Sequence, residues 1–518
     1  MQGYNNTMNK KFIFLIVALH VLTWLALKPV WPFSDDYCYA YHAHNLLEGH
    51  LNLTYNQFQN RFGVYVPVSF FFYLFGTNPY SISFWPLIIS CFTITIVFLF
   101  VSKIADTTIA LISAFLISIN TIQINYSTAL FPDLIVSFYC IGAILLLYYG
   151  RQTKNQKIIY PLLLNLFLLI GFISKETIVL IFPFLLIVLI YDLFKKENVL
   201  FWKRTFAYGF CSIALLLLMY YCISGDAFFR IKSLFQFNNE FLNVEAETFI
   251  RSNFSSNIFK WLNSEVGLIF LLLFAISTLL TIRKYDLSKF MIFITVYSFS
   301  TLLVFVCFFY SDKYAPLFML SRMWMLLIPS LCILTAYFII NMHQHFCVVL
   351  IVLFITLTLY NFNTFEYKRG LLFALFLSTT LVTYYLSRKN KNWSYLLLLP
   401  FTILAIRFVW GNSNYRVSSI QSGELLKNEI EHLNASGKKT ILCAGDFVEN
   451  HIIYNQFKEY SNLKFYPFNK YDSLNQAPNL FVLVNTEEVE IPNYVLNNSS
   501  EWKKEYDSGK LLIYRKVE

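Results

Sequence analysis

A chain of 518 residues that is 57% hydrophobic, 19% aromatic and only 14% charged, with a mean hydropathy of +0.54, is no ordinary soluble protein. Soluble domains average about 45–50% apolar and about 25% charged, and here the excess gathers in runs of about 18–22 residues, the length a helix needs to cross a bilayer. The net charge of +10 does not signal a nucleic-acid partner. Much of the Lys and Arg sits in short clusters between apolar runs, where the positive-inside rule places it.

The first span is expected at Phe12–Val30, after Lys10-Lys11, which keep the amino terminus cytoplasmic. No cleavage-site signature follows it, so it reads as a retained helix rather than a signal peptide. A long first loop, Trp31 to Tyr80, is polar and aromatic together, as suits a surface-lying or re-entrant segment. Within it, Asp36–Glu48 carries Tyr39, His42, Leu46 and Leu47 at helical spacing and ends at Gly49, placed as a C′ glycine. A second amphipathic piece runs from Val64 to Phe75.

Further spans are expected at Ser81–Val101, Thr107–Ile124, from Leu130 to just before Arg151, Ile158–Ile173, Thr177–Phe194 and Thr205–Ile223. A second long loop, Ser224 to Asn263, follows. The last expected spans are Glu265–Ile282, Phe290–Tyr310, Leu320–Asn341, Phe346–Tyr360, Leu371–Leu386 and Tyr395–Trp410. The fold class is therefore an α-helical polytopic membrane protein of about 13 spans. The inner loops hold roughly 16 Lys and Arg in about 50 residues, against about 10 in roughly 130 for the outer ones. Thirteen spans in that orientation put the carboxy terminus outside; the span Phe346–Tyr360 is short, so 12 or 14 stay open, and 12 would bring the tail inside. Residues 1–410 form the membrane domain, and residues 411–518 read as a small extracytoplasmic α/β domain. In it, helices are expected at Gly423–Ser436 and Val448–Tyr460, and strands at Lys439–Ala444, Leu463–Phe468, Asn479–Val484 and Lys510–Arg515.

Chemistry points to the residues at the outer helix ends. Asp35 and Asp36 stand together just past the first span, where hydrocarbon solvates carboxylates poorly, so one can serve as a base or metal ligand while the other orients it. Ser34 or Asp35 also suits a helix N-cap. Asp133, in Phe131-Pro132-Asp133-Leu134, opens a later span on the same side. Lys175 lies between two apolar runs on the outer side, against the positive-inside bias, and a phosphate-bearing ligand would explain it. A Lys175–Glu176 surface pair is the plainer alternative. Arg61 and Arg322 are further outer-side cations that, with Lys175, describe an anion site facing the carboxylates. The nine cysteines show no metal-ligand spacing, and Cys38 with Cys443 leaves one disulfide open. The histidines form no metal constellation, and a divalent cation stays open as a cofactor.

In order along the chain, these motifs resemble the GT-C membrane glycosyltransferases of the ArnT-like and protein O-mannosyltransferase-like group (glycosyltransferase family 39 type). Asp35-Asp36-Tyr37-Cys38-Tyr39-Ala40 resembles the family's Asp-Glu-x-x-Tyr-Ala motif, and Ala129-Leu130-Phe131-Pro132-Asp133 its second acidic motif. Gly171 to Lys175, followed by Phe182-Pro183, resembles its Gly-x-x-x-Lys segment, and Pro329 after Arg322 a late helix. The resemblance implies an enzyme of the bacterial inner membrane that takes a sugar from a polyprenyl phosphate on the outer side. It passes the sugar to a lipid, glycan or protein acceptor with inversion at the anomeric carbon. Asp35, Asp36 and Asp133 are then the catalytic carboxylates, and Lys175, Arg61 and Arg322 the donor-phosphate cations. Three positions depart from the pattern: Asp36 replaces a usual Glu, Glu176 stands where Gly is common, and Arg61 falls where a Lys is usual. The rival from another class is a transporter or flippase, with the intramembrane carboxylates as ion-coupling sites. A polymerase, a ligase or an inactive relative is the third alternative.

Overall fold

The computed structural model describes residues 2–29, 35–51, 53, 58–152, 157–234, 289–307, 309–310, 313–314, 321–341, 347–348, 350–351, 355, 367–435, 440–444, 463–467, 480–485, 495, 502–507 and 511–516. In chain order the helices are α1 (Gln2–Leu27), α2 (Asp35–Leu47), α3 (Phe62–Phe75), α4 (Pro79–Ile104), α5 (Thr107–Ile119), α6 (Thr121–Ser127) and α7 (Pro132–Gln152). They continue with α8 (Ile159–Ser174), α9 (Phe182–Lys195), α10 (Val199–Ser224), α11 (Lys289–Cys307), α12 (Ile328–Asn341), α13 (Tyr367–Lys389) and α14 (Leu398–Ala435). Among the described residues, five helices are long and apolar enough to cross a membrane, or six if α5 and α6 form one bent span. The expected spans at Glu265–Ile282 and over most of Phe346–Tyr360 lie outside the described residues, as does the helix expected at Val448–Tyr460.

Burial orders the bundle. The apolar stretch of α7 is 89% buried and that of α10 is 6% buried. α7 is thus the central helix, packed on α8 and α4, while α10 turns Phe206, Phe210, Leu215 and Leu218 outward. Exposed side chains of that kind on a spanning helix belong against lipid. At the end of α7 remote from Asp133, Asp192 of α9 is fully buried. It accepts hydrogen bonds from Arg151 Nε at 2.7 Å and Arg151 Nη2, from Trp202 Nε1 at 2.7 Å, and from Asn198 Nδ2 at 3.2 Å. The pair staples α7, α9 and α10 together, with every carboxylate oxygen engaged, as a buried charge requires.

Local chemistry explains where the helices depart from a simple reading of the spans. The expected single helix Thr107–Ile124 is broken by 59° at Asn120. The Asn120 side chain accepts from the backbone N–H of Ile122 and Gln123, and this cap competes with continuation of the helix. The expected helix Thr177–Phe194 starts instead as a 3-10 turn, Glu176–Ile181, and becomes α-helical at Phe182-Pro183. Proline is tolerated in a first turn but disfavours helix before it. A further 3-10 turn, Ser321–Leu326, precedes α12 with Pro329 in its first turn. Gly411 does not end a helix: α14 runs without interruption from Leu398 to Ala435, so the separate helix expected at Gly423–Ser436 is its continuation. A helical glycine costs only about 1 kcal/mol, too little to break a helix held by its neighbours.

The carboxy-terminal segment builds a five-stranded sheet from β3 (Thr440–Ala444), β4 (Leu463–Pro467), β5 (Leu480–Asn485), β6 (Trp502–Asp507) and β7 (Leu511–Lys516) in the order β4-β3-β5-β7-β6. β3 runs parallel to β4 and β5, whereas β7 is antiparallel to both β5 and β6. β6 has no counterpart in the sequence reading. Its Trp502-Lys503-Lys504-Glu505 run is charged because β6 is an edge strand, where lysines guard against further pairing, and it carries a bulge between Lys504 and Tyr506. A two-residue hairpin, β1 (Phe309–Tyr310) and β2 (Lys313–Tyr314), precedes α12.

The expected C′ glycine is in place. Gly49 has φ +78°, the N–H of His50 donates to the Asn45 carbonyl at 2.8 Å, and the N–H of Gly49 donates to Leu46 at 3.1 Å. This is the paired-bond end of a helix with a left-handed residue past it. A side chain at Gly49 would meet nothing within 4 Å, so only the backbone conformation would object. Gly49→Ala is expected to cost about 1–2 kcal/mol, read as a lower melting temperature, with Gly49→Asn costing less.

Candidate active site

The site begins at the first turn of α2. Asp35 and Asp36 sit at its positive end, which favours carboxylates there. Their side chains part: Asp36 is buried, whereas Asp35 is 36% exposed and accepts a hydrogen bond from Arg322 Nη1 at 2.6 Å. Arg322 itself rides on the Ser321–Leu326 turn. Two bonds hold that turn: Ser137 Oγ, one helical turn beyond Asp133 on α7, donates to the Met325 carbonyl, and Tyr297 of α11 donates to the Leu326 carbonyl at 2.9 Å.

Asp133 opens α7 next to this turn. Lys175 Nζ donates to Asp133 Oδ1 at 2.7 Å, and the two side chains are 7% and 1% exposed. Lys175 stands in extended conformation at the break between α8 and the 3-10 turn, so its side chain is delivered by a kink rather than by a helix face. It also lies in the field of Arg61, Glu176 and Arg322. Asp133 Oδ2 is buried with no hydrogen-bond partner among the described residues.

A third group completes the cluster. Arg61, just before α3, donates through Nη1 to the buried Tyr39 hydroxyl and through Nη2 to Glu176 Oε1 at 2.6 Å. Glu176 Oε2 accepts from Arg230 Nη2 at 2.9 Å. Arg230 packs over Phe172 and Arg61 over Phe58, so each guanidinium meets an aromatic face. The loop before α3 is pinned by Tyr220, which donates to the Asn60 carbonyl, and by Asn60, which donates to Ser233. α3 then approaches the end of α8 so closely that a Cβ on Gly63 would lie 2.2 Å from Ser174 Oγ, and no larger residue fits without movement beside Lys175.

Five of the six residues singled out in the sequence, Asp35, Asp133, Lys175, Arg61 and Arg322, thus converge on one cluster, with Asp36 buried next to Asp35 on α2, but not as an open anion site facing carboxylates. Arg322 is paired with Asp35, Lys175 with Asp133 and Arg61 with Glu176. The Lys175–Glu176 surface pair is not formed. Arg230 was missed; it lies at the head of the second long loop, in Phe228-Phe229-Arg230, where an outer-side cation among aromatics was the available signal. Cys38 carries a free thiol, so the bridge to Cys443 is not made. Burial, reinforced by Asp35 and Asp36, pushes that thiol up to about 11 and keeps it protonated. Burial likewise raises the Tyr39 hydroxyl well above its ordinary range, so it meets Arg61 as a neutral phenol. Among the described residues, no group of three or more His, Cys, Asp or Glu side chains could hold a metal ion.

His42, on α2 between the Tyr41 and Tyr65 rings, is lowered from 6.5 to about 4 by burial. The folded state thus favours the neutral ring. Its contribution to stability is complete above pH 6.5 and is lost as pH falls towards 4. The melting temperature should decline over that interval, and His42→Phe, which keeps the ring and removes the titration, should flatten the decline.

A family model described as dolichyl-phosphate-mannose-protein mannosyltransferase matches residues 64–222, the stretch that carries Asp133, Lys175 and Glu176. The whole chain is similar in structure to ArnT from Cupriavidus metallidurans in the apo state. The TM-score is 0.62, with 11% identity over 98% of this chain and 98% of that one. The form of that protein bound to undecaprenyl phosphate matches equally, at 0.62 and 11% over the same shares. The Archaeoglobus fulgidus oligosaccharyltransferase tethered with an acceptor peptide is similar at a TM-score of 0.53 and 11% identity, covering 98% of this chain and 74% of that one. No curated protein sequence matches the chain. The fold is the GT-C fold of membrane glycosyltransferases, with a small carboxy-terminal sheet.

Proposed function

We propose that this membrane protein is an inverting glycosyltransferase that moves a sugar from a polyprenyl-phosphate donor to a lipid, glycan or protein acceptor on the outer side of the membrane. The observation that carries the reading is a carboxylate about a third exposed, Asp35, paired with the equally exposed Arg322 beside three buried cations, Arg61, Lys175 and Arg230, on a GT-C fold. An acceptor hydroxyl must lose a proton as its oxygen attacks the anomeric carbon. The bond from that carbon to the phosphate oxygen breaks with its electron pair, leaving a phosphate whose new charge needs positive partners.

Exposure supports a division of roles. Asp35 can reach an acceptor, whereas Asp36 and Asp133 are buried, so Asp35 is the base and Asp133 positions Lys175. Arg322, shared between Asp35 and the cluster, orients the base and faces the leaving phosphate. The transporter reading finds less support. Among the described residues, Asp133 and Asp192, the buried acids on spanning helices, lie in the first and last turns of their helices and are each paired with a cation. An ion-coupling carboxylate would be expected nearer mid-membrane.

The test is transfer itself. Purified protein supplied with a lipid extract as donor pool should release polyprenyl phosphate in step with glycosylated acceptor, with the anomeric configuration inverted by NMR. Movement of intact lipid-linked sugar across vesicles without bond cleavage would overturn the proposal in favour of a flippase.

A further inference from the structure

Between α1, α5 and α14 lies a groove of about 440 Å³, lined by Leu19 and Ala26, by Phe115 and Ile119, and by Ile406 and Trp410. It opens outward from the bundle, with Ile406 63% and Trp410 75% exposed. The wall hydroxyls are spent within their own helices: Thr23 Oγ1 donates to the His20 carbonyl at 2.7 Å, and Thr402 Oγ1 to the Leu398 carbonyl at 3.0 Å. What the groove offers an occupant is therefore apolar surface. Along α14 it runs from Thr402 to Ser413, roughly 16 Å at 1.5 Å per residue, and Ser413 ends the membrane-crossing stretch Asn392–Ser413. Along α1 it reaches Ala26, beside the helix end that leads to Asp35. Its depth is thus that of one leaflet, half of about 30 Å of hydrocarbon, on the side of the candidate active site.

Charge gives the groove a preference. Arg407 is the only charged residue in that stretch of α14, is exposed, and makes no ion pair among the described residues. It follows Ile406 and stands three positions before Trp410, so it flanks the edge of the groove that those two residues form. Lys28, exposed just past the end of α1, adds a second cation on the same side of the membrane. No Asp or Glu occurs in α1, in α5 or in α14 before Glu424, so the groove's own helices supply no carboxylate there. An exposed cation within a membrane-crossing stretch is costly without a partner. Arg407 lies roughly 9 Å below Ser413, a depth from which a long side chain reaches the headgroup layer. We propose that the groove binds an anionic membrane phospholipid, one acyl chain lying between α1 and α14 and the phosphate meeting Arg407. An acyl chain matches a groove one leaflet deep, whereas a long polyprenyl tail exceeds it.

The test uses the full chain in detergent micelles and two phospholipids brominated on one acyl chain, phosphatidylglycerol and phosphatidylcholine, whose bromines quench a nearby indole. The signal is the part of the tryptophan fluorescence that Trp410→Phe removes. Trp410 and Arg407 are both exposed, so replacing either leaves the core intact. Phosphatidylglycerol is expected to bind with about fivefold higher affinity than phosphatidylcholine at low salt, the preference one basic side chain gives for an anionic lipid. Arg407→Gln should bring the two affinities together, and Arg407→Lys should keep them apart. Ala26→Phe, which narrows the groove, should weaken both lipids alike. Equal affinities in wild type, a preference that survives Arg407→Gln, binding untouched by Ala26→Phe, or no quenching of Trp410 by either lipid overturns the proposal. So does displacement of the brominated phosphatidylglycerol by a long-chain polyprenyl monophosphate at lower concentrations than by unbrominated phosphatidylglycerol, which would give the groove to that tail.

Discussion

Asp35→Asn is expected to lower kcat for sugar transfer by about 10²–10⁴, the contribution of a positioned general base, while the melting temperature stays near that of wild type. The two halves of the prediction have separate causes. Asp35 and Arg322 are about a third exposed, and ion pairs with that much solvent contribute roughly 0–1 kcal/mol. The amide can still accept a hydrogen bond from Arg322 Nη1, so the turn that carries Arg322 keeps its place. What the variant lacks is a site for the acceptor's proton. Asp36→Asn provides the contrast, because that side chain is buried beneath the first turn of α2 and cannot reach an acceptor. A fully active Asp35→Asn enzyme would move the base to another carboxylate and remove the basis on which Asp35 was assigned.

Lys175→Met is expected to destabilise the protein by about 3–5 kcal/mol as well as to abolish transfer, because it strands a carboxylate that is 1% exposed. Asp133 Oδ1 loses the Lys175 ammonium as donor, and Oδ2 has no hydrogen-bond partner among the described residues. The double variant Asp133→Asn with Lys175→Met should recover most of the stability, since no uncompensated charge is left in the interior, yet it should remain inactive. Thermal melts of the two single variants and the double variant give the coupling energy directly. Recovery of stability without activity would separate the structural part of this pair from its part in chemistry. A single Lys175→Met variant as stable as wild type would show that the pair is more solvated than its burial indicates.

Much of the membrane body was legible along the chain because a bilayer imposes one rule on every segment: apolar length. α4, α7, α8 and α11 begin and end close to their expected bounds for that reason, while α10 starts at Val199, six residues before its expected start at Thr205. α2 and its Gly49 terminus were legible because helical spacing and a left-handed glycine are local signals. The breaks were harder. At Asn120 and at Glu176–Ile181 the apolar run continues while the helix does not, and hydropathy cannot register a side-chain cap or a 3-10 turn. β6 escaped for the opposite reason, since an edge strand is selected to look unlike a strand.

The identities of the charged residues in the cluster are a property of the sequence alone. An Asp, Lys or Arg near the end of a membrane run costs too much to stand there without partners or purpose, and on that ground Asp35, Asp36, Asp133, Lys175, Arg61 and Arg322 stood out one at a time. The pairing among them was decided only by the tertiary structure. Lys175 meets Asp133 across 42 positions of chain, and Arg322 meets Asp35 across 287. Arg230 joins only because the residues after α10 fold back over Glu176. Coulomb attraction depends on distance in space and on burial, neither of which is written in the order of residues. The sequence therefore supplied the charges, and packing around α7 settled which of them neutralise one another and which carboxylate still faces solvent.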